Sequence, residues 1–496
     1  MRKTFEPQLT LDCTPIEEVK VPLKTKNHMA VLVAALQHIY VSPEWNKKIF
    51  ALLSSKIIKG NNKMGRPAMS LWEIFVLAQV RLCMNISYDN LHHSANYDTL
   101  VRGVMGVLPT DFSQGKEYEY QNIYDNVSLL DDELLIEVND VIVSMGHEVF
   151  KKKGKAGTVD IVLRCKTDSF VVETDTHFPT DYNLLWDSAR KCLDIAKWLE
   201  NKDCITGWRK KGNWNKQLKG LMREVGRTSS GGGKNKEERV IYAVNSYLDK
   251  ARALALKIYP ILLDNKAQKV AQILKIQELA YYLKMLEKHI DLLDRRLLKG
   301  EVIPHDEKVF SVFQPYTEFI KKGKLRPNVE IGKKLVVTSD QHDLIIDWQI
   351  AENQADNELT QPVTQRLLSK YQIQSISFDR GFSDKAVKAL LEKDIPQVIM
   401  QKKGKRTQEE KAHESTPFFK KLKKKHSAIE SNINESVGDP IEHRGLNRVP
   451  NRTRKTFNNY IGLALTAYNL HKIGRKLQAD RLQEEIKKKV KLQKAA

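Results

Sequence analysis

No apolar run in these 496 residues approaches the roughly 20 needed to cross a bilayer; the longest, such as Ile74 to Val80, stop far short. The polar start Met1 to Pro7 also lacks the apolar stretch of a signal peptide, so a cytoplasmic, nucleoid-associated protein with no membrane contact is expected. Cysteine is scarce. Cys13, Cys83, Cys165, Cys192 and Cys204 are odd in number and scattered, with no CxxC and no histidine at ligand spacing. That pattern excludes a zinc finger and a disulfide framework and leaves reduced, mostly buried thiols. Gly231-Gly232-Gly233-Lys234 lacks the preceding strand and the full pattern of a P-loop. With 41% hydrophobic and 29% charged residues, the chain is neither disordered nor collagen-like, and its length predicts two to four domains.

What is present in excess is positive charge. Lys and Arg number 82 against 61 Asp and Glu, a net +21 that calls for a polyanionic partner, and without a membrane that partner is nucleic acid. Two stretches concentrate the charge. Trp208 to Arg227 holds seven basic residues against one acid, including Arg209, Lys210 and Lys211, with Trp208 and Trp214 interleaved for stacking or wedging. Residues 401 to 426 hold ten against three, including Lys402, Lys403, Lys421, Lys423, Lys424 and Lys425, and read as phosphate contacts. The terminal run Lys487 to Lys494 reads as a solvated tail.

Residues 1–150 read as a helical DNA-binding region. Ser70-Leu71-Trp72-Glu73 is a capping box that predicts a helix from Leu71, and Ser87 predicts a second start. Arg66, just before the first helix, is a candidate for DNA contact. Gly157 to His177 turns to strand-forming residues. Residues 181–300 are helical again, broken by an expected flexible linker at Thr228 to Gly233. The seam Ile276, Leu279, Leu283, Leu286, Ile290, Leu293 and Leu297 alternates steps of three and four, and packing within the chain, in a hairpin with Tyr242 to Leu263, is the expected use of it. Strands are expected at Val309–Phe313, Lys334–Thr338, Leu344–Trp348, Ser375–Phe378 and Gln397–Met400, with helices at 357–371, 383–393, 428–436 and 457–491. Residues 151–180 and 301–456 therefore form one α/β domain with a mixed sheet, interrupted by the helical insertion 181–300 and followed by a C-terminal helix and basic tail, 457–496.

Three acids stand out in that frame. Asp379 follows an apolar strand and precedes a glycine turn, where open sheets gather their sites. Asp168 lies on the first strand, and Glu430 sits beside the apolar pair Ile429 and Ile433. Acids brought together with no adjacent base need cations. Asp160, Asp175 and Glu435 are their nearest rivals.

The segments Gly65-Arg66-Pro67, Tyr88-Asp89-Asn90-Leu91, Asp168 to Asp175, His177 to Asp181, His305 to Phe310, Ser377 to Phe382, His426 to Asn434 and His443 to Arg448 together resemble bacterial insertion-sequence transposases of the DDE type, more narrowly the ISNCY-like group. They keep that family's order over nearly the whole chain. The resemblance implies an RNase H-like fold, with Asp168, Asp379 and Glu430 as the catalytic triad. It also implies two Mg²⁺ or Mn²⁺ ions, metal-dependent cleavage and strand transfer on double-stranded DNA, and a homodimer or higher oligomer on that DNA. A spacing of 211 residues between the aspartates leaves room for the insertion, and 51 separate Asp379 from Glu430. The chain departs from the family where a basic residue often precedes the glutamate by four, since His426 stands there, and where one follows it, since the region around Val437 is not basic. Gripping a terminal phosphate then falls to His426 or to Arg444, Arg448, Arg452 and Arg454. A non-catalytic DNA-binding regulator and a metal-dependent nuclease are the alternatives.

Overall fold

The computed structural model describes residues 13–58, 68–108, 110, 115–151, 162–321, 329–402, 404–421, 423–424 and 444–495. Two compact units share the chain: residues 1–175 with 322–496, and residues 176–321.

The first unit opens with helices α1 (His28–Val41), α2 (Pro43–Ile57), α3 (Leu71–Cys83), α4 (Tyr88–Tyr97), α5 (Thr99–Met105), α6 (Tyr120–Val127) and α7 (Asp132–Phe150). Both expected starts are present. The Glu73 amide donates to Ser70 Oγ at 3.2 Å while Glu73 Oε2 accepts from the Ser70 amide, and the Asn90 amide donates to Ser87 Oγ. Every residue of helix α3 is buried, Glu73, Gln79 and Arg81 included.

Strand β1 (Val162–Thr174) follows. Its first half alternates buried Leu163, Cys165 and Thr167 with more open neighbours, whereas Phe170, Val171 and Val172 are buried in succession because both faces are covered there. After the excursion into the second unit the sheet resumes with β2 (Val329–Ser339) and β3 (Ile345–Ile350), then helix α12 (Asp356–Lys370) and β4 (Gln372–Phe378). Helix α13 (Lys385–Asp394), β5 (Gln397–Met400), helix α14 (Gln408–Ser415), a two-residue β6 (Arg448–Val449) and the long helix α15 (Arg454–Ala495) complete it. Strand β2 pairs antiparallel with both β1 and β3, β4 runs parallel to β1 and β5 parallel to β4, so the order is β3-β2-β1-β4-β5, with β6 beside the end of β1. Three antiparallel strands leading into two parallel ones joined by helices is the RNase H-like arrangement. Helices α12 and α13 cover one face through Leu359, Val363, Leu367 and Leu391, packed on Leu163, Cys165, Val336 and Ile376.

The N-terminal helices and α15 share one core. Asn469 on α15 exchanges hydrogen bonds with the Ile345 backbone and donates to Oδ1 of Asn139 on α7, which itself donates to the Ile345 carbonyl. Helix α15 crosses α1 so closely that a Cβ at Gly474 would overlap the Val31 carbonyl oxygen. His147 and Asp340 form a buried pair at 2.6 Å between α7 and the β2–β3 turn.

The second unit holds helices α8 (Asp181–Glu200), α9 (Lys211–Ser230), α10 (Lys236–Leu263) and α11 (Val270–Leu293). The heptad seam packs within the chain, against α8 more extensively than against α10, with Leu279, Leu283, Leu286 and Leu293 buried. Two expectations fail here. Thr228 to Ser230 is helix rather than linker: the hydroxyls of Thr228 and Ser230 donate to carbonyls four residues back, and the break comes at Gly231. Val309–Phe313 is irregular rather than strand, because Val312 is buried in the helical core with Val309 and Phe313 packed against it. A five-residue apolar run cannot by itself distinguish those outcomes. Four of the five free cysteines are buried, as expected.

Candidate active site and nucleic-acid interface

The last registered pair between the parallel strands β1 and β4 is Thr167 with Phe378. The next residue on each strand is an aspartate: Asp168, half-buried and opposite Val337 of β2, and Asp379, exposed at the carboxyl end of β4. Because side chains alternate along a strand and Cys165 faces the α12 layer, Ser169 faces that layer too, and Asp168 faces the other side. Phe378 packs with the same layer, so Asp379 shares the face of Asp168. The Ser169 amide donates to Asp168 Oδ1 at 2.7 Å. The turn carrying Asp379 is braced three times: the Phe382 amide donates to the Asp379 carbonyl at 3.1 Å, Arg380 Nε to Gln401 Oε1 at 2.8 Å, and Thr360 Oγ1 to the Phe382 carbonyl at 3.0 Å.

Glu430 lies outside the described residues, as do Arg66, Lys403, Lys425, His426 and the rivals Asp160 and Glu435. Asp175, the remaining rival, is ion-paired with Arg448 at 2.9 Å. Among the described residues no group of three or more His, Cys, Asp or Glu is placed to hold a metal ion. Carboxylate oxygens are hard donors of the kind that suits Mg²⁺ or Mn²⁺. Cys165 is no nucleophile beside them, because burial pushes its thiol up and keeps it neutral.

One further carboxylate stands close to this pair. Asp356, the first residue of α12, accepts from Ser169 Oγ at 3.1 Å and is ion-paired with Lys334 at 2.9 Å. A Cβ at Gly381 would come within 2.5 Å of its Oδ2. In the sequence Asp356 looks like any acid in the first turn of a helix, and only the tertiary contacts single it out.

The basic residues divide into two groups. Arg209, Lys210, Lys421, Lys423 and Lys424 are exposed. Lys211 is ion-paired with Asp194 at 2.5 Å, and Lys402 with Glu410 at 2.9 Å. Trp208 belongs to the core of the second unit, 2% exposed with Lys257 over its ring, and so offers no face for stacking or wedging. Trp214 packs against the same core beneath the Lys250 ammonium, 4.0 Å from its ring centre. Arg444 is also corrected: it is 1% exposed and donates to the Cys83 carbonyl, so it cannot reach a phosphate in this fold. The wider stripe Lys216, Lys219 and Arg223, at helical spacing on α9, is exposed alongside Arg209 and Lys210.

Asp168, midway along β1, and Asp379, just past the carboxyl end of β4, thus lie one step beyond the last pair of two adjacent parallel strands in an RNase H-like sheet. Residues 298–470 match the family model of the transposase DDE domain. The match includes Asp356, Asp379 and the position of Glu430, and Asp168 lies upstream of it. No curated protein and no solved structure matches the chain. Among the described residues no helix is long and apolar enough to cross a membrane.

Proposed function

We propose that the chain is an insertion-sequence transposase that binds the ends of its element as double-stranded DNA and catalyses cleavage and strand transfer, working in the cytoplasm on the nucleoid as a homodimer or higher oligomer. The observation that carries this reading is the placement of Asp168 and Asp379 one step beyond the last β1–β4 pair, on the same face of the sheet. Asp168, Asp379 and Glu430 are the residues that would hold two Mg²⁺ or Mn²⁺ ions. Bound there, the ions supply a deprotonated oxygen nucleophile and stabilise the leaving alkoxide.

The chain's own part is to bind and align. The exposed cations of 402–424 and of α9 neutralise phosphates, and His426, four residues before Glu430, and Arg448, paired with Asp175 beyond Asp168 on β1, are the candidates to grip a terminal phosphate. In the first step water oxygen bonds to phosphorus and the bond to the 3′ oxygen breaks, leaving a free 3′-OH. In the second that hydroxyl attacks a target phosphodiester in line, displacing another 3′ oxygen.

The test is an assay of purified protein on labelled element-end DNA, scoring nicked and joined products separately. Asp168→Asn, Asp379→Asn and Glu430→Gln should each abolish both products with Mg²⁺ while end binding persists, because each removes a ligand and no basic patch. Nicking without joining in the wild type would mark a nuclease. Binding with neither product, unchanged by the substitutions, would mark a regulator.

A further inference from the structure

Beyond Thr167 and Phe378 the β1–β4 ladder has ended, so no main-chain pairing fixes how far Asp168 stands from Asp379. Another group spans that gap from the opposite face of the sheet. We propose that Asp356 is a positioning residue that clamps the two aspartate-bearing chain segments together and so sets the geometry of the metal-binding carboxylates; this rests on the transposase reading of the site.

Asp356 Oδ1 accepts from Ser169 Oγ at 3.1 Å, and Ser169 directly follows Asp168 while its amide holds Asp168 Oδ1. Asp356 Oδ2 lies against Gly381, the second residue after Asp379, at a separation only glycine leaves room for. One carboxylate therefore touches both segments. A second tether lies one turn along α12, where Thr360 Oγ1 donates to the carbonyls of Asp356 and Phe382. Lys334 fixes the clamp in turn: its ammonium pairs with Asp356 Oδ1 at 2.9 Å and donates to the Gln354 carbonyl at 3.0 Å, pinning the chain just before α12.

An acid in the first turn of a helix commonly serves only the dipole of that helix. Asp356 instead directs Oδ1 across to β1 and β2, and its charge is balanced by a lysine of another strand. Partners of this kind, which hold the ligands rather than the ion, typically change metal affinity 10- to 100-fold when removed.

The experiment measures Mn²⁺ binding to the full chain without DNA, by the electron paramagnetic resonance signal of free Mn²⁺, with thermal melting followed on the same samples. Asp356→Asn, which keeps the shape and loses the charge, should weaken Mn²⁺ binding about tenfold or more while the protein still melts cooperatively. Gly381→Ala should do the same by displacing the intact carboxylate, and it carries the test if Asp356→Asn fails to fold. Asp168→Asn is the control and should lose binding altogether. If Asp356→Asn and Gly381→Ala bind Mn²⁺ as the wild type does while Asp168→Asn does not, the clamp is wrong and the transposase reading stands. If Asp168→Asn also binds normally, the metal-site reading itself fails, and the clamp with it.

Discussion

Arg444 and Lys424 carry the same charge in opposite surroundings, and substitution should separate them. Removing the Arg444 side chain strands the buried Cys83 carbonyl and leaves a cavity, so Arg444→Ala should cost about 2–4 kcal/mol in urea unfolding. Lys424→Ala, at an exposed site, should change stability by no more than about 0.5 kcal/mol. Equal effects would return Arg444 to the surface. His289 gives a prediction in pH. It is fully buried, its Nδ1–H donates to the Met285 carbonyl at 2.7 Å, and burial lowers its pKa below 6.5. The unfolded chain then takes up a proton that the folded chain refuses. This contribution is complete above about pH 6.5 and is lost as pH falls toward the depressed value. His177 has the opposite sign: its hydrogen bond to Asp187 raises its pKa, so its contribution is present below about pH 6.5 and fades as pH rises through the raised value. His289→Leu should flatten the acid limb of a stability profile below about pH 6.5, and an unchanged limb would mean that His289 charges freely in the fold. The positions of Asp168 on the first strand and of Asp379 just past an apolar strand were legible, because runs of strand-forming residues are a local pattern. Asp356 and Arg444 were not, because their roles depend on partners such as Ser169 and Cys83, far away in the chain.

Elements were legible where side chains and backbone agree locally. The Ser70–Glu73 capping box placed the start of α3 at Leu71, and runs of strand-forming residues located β1, β2 and β4. Legibility failed where packing decides, as at Val309–Phe313, and where hydroxyls bond back along a helix, as at Thr228 and Ser230. The basic elements carry the prediction at this scale. Replacing Lys421, Lys423 and Lys424 with Gln should weaken binding to all DNA sequences alike and flatten the log–log salt dependence by up to about 0.9 for each phosphate no longer neutralised. The same treatment of Lys216, Lys219 and Arg223 on α9 tests the second unit, and a salt slope that stays put in either variant leaves that surface merely solvated.

At the scale of the molecule, the helices of residues 1–150 and helix α15 form one core instead of a detachable N-terminal module. Truncation after residue 453 should therefore abolish cooperative melting of the α1–α7 helices by circular dichroism. Truncation after Leu482 should leave it nearly intact, since residues 483–493 are exposed. A fragment of residues 1–150 that melted cooperatively alone would contradict the shared core. No local pattern in either segment announces this arrangement, because it joins faces such as Val31 and Gly474 that only the folded chain brings together.

The excursion between β1 and β2 also sets a schedule. Ribosomes add about 5–20 residues per second, so roughly 10–40 s separate the synthesis of Asp168 from that of Asp379. Strand β1 emerges long before any of the strands that flank it, while the second unit, with its own helical core, is made in the meantime. Its carboxylate partner arrives only after three quarters of the polypeptide has been made, and α15, which completes the core around α7, arrives last. Products terminated between α9 and β4 would thus carry the exposed cations of α9 without Asp379 beside Asp168.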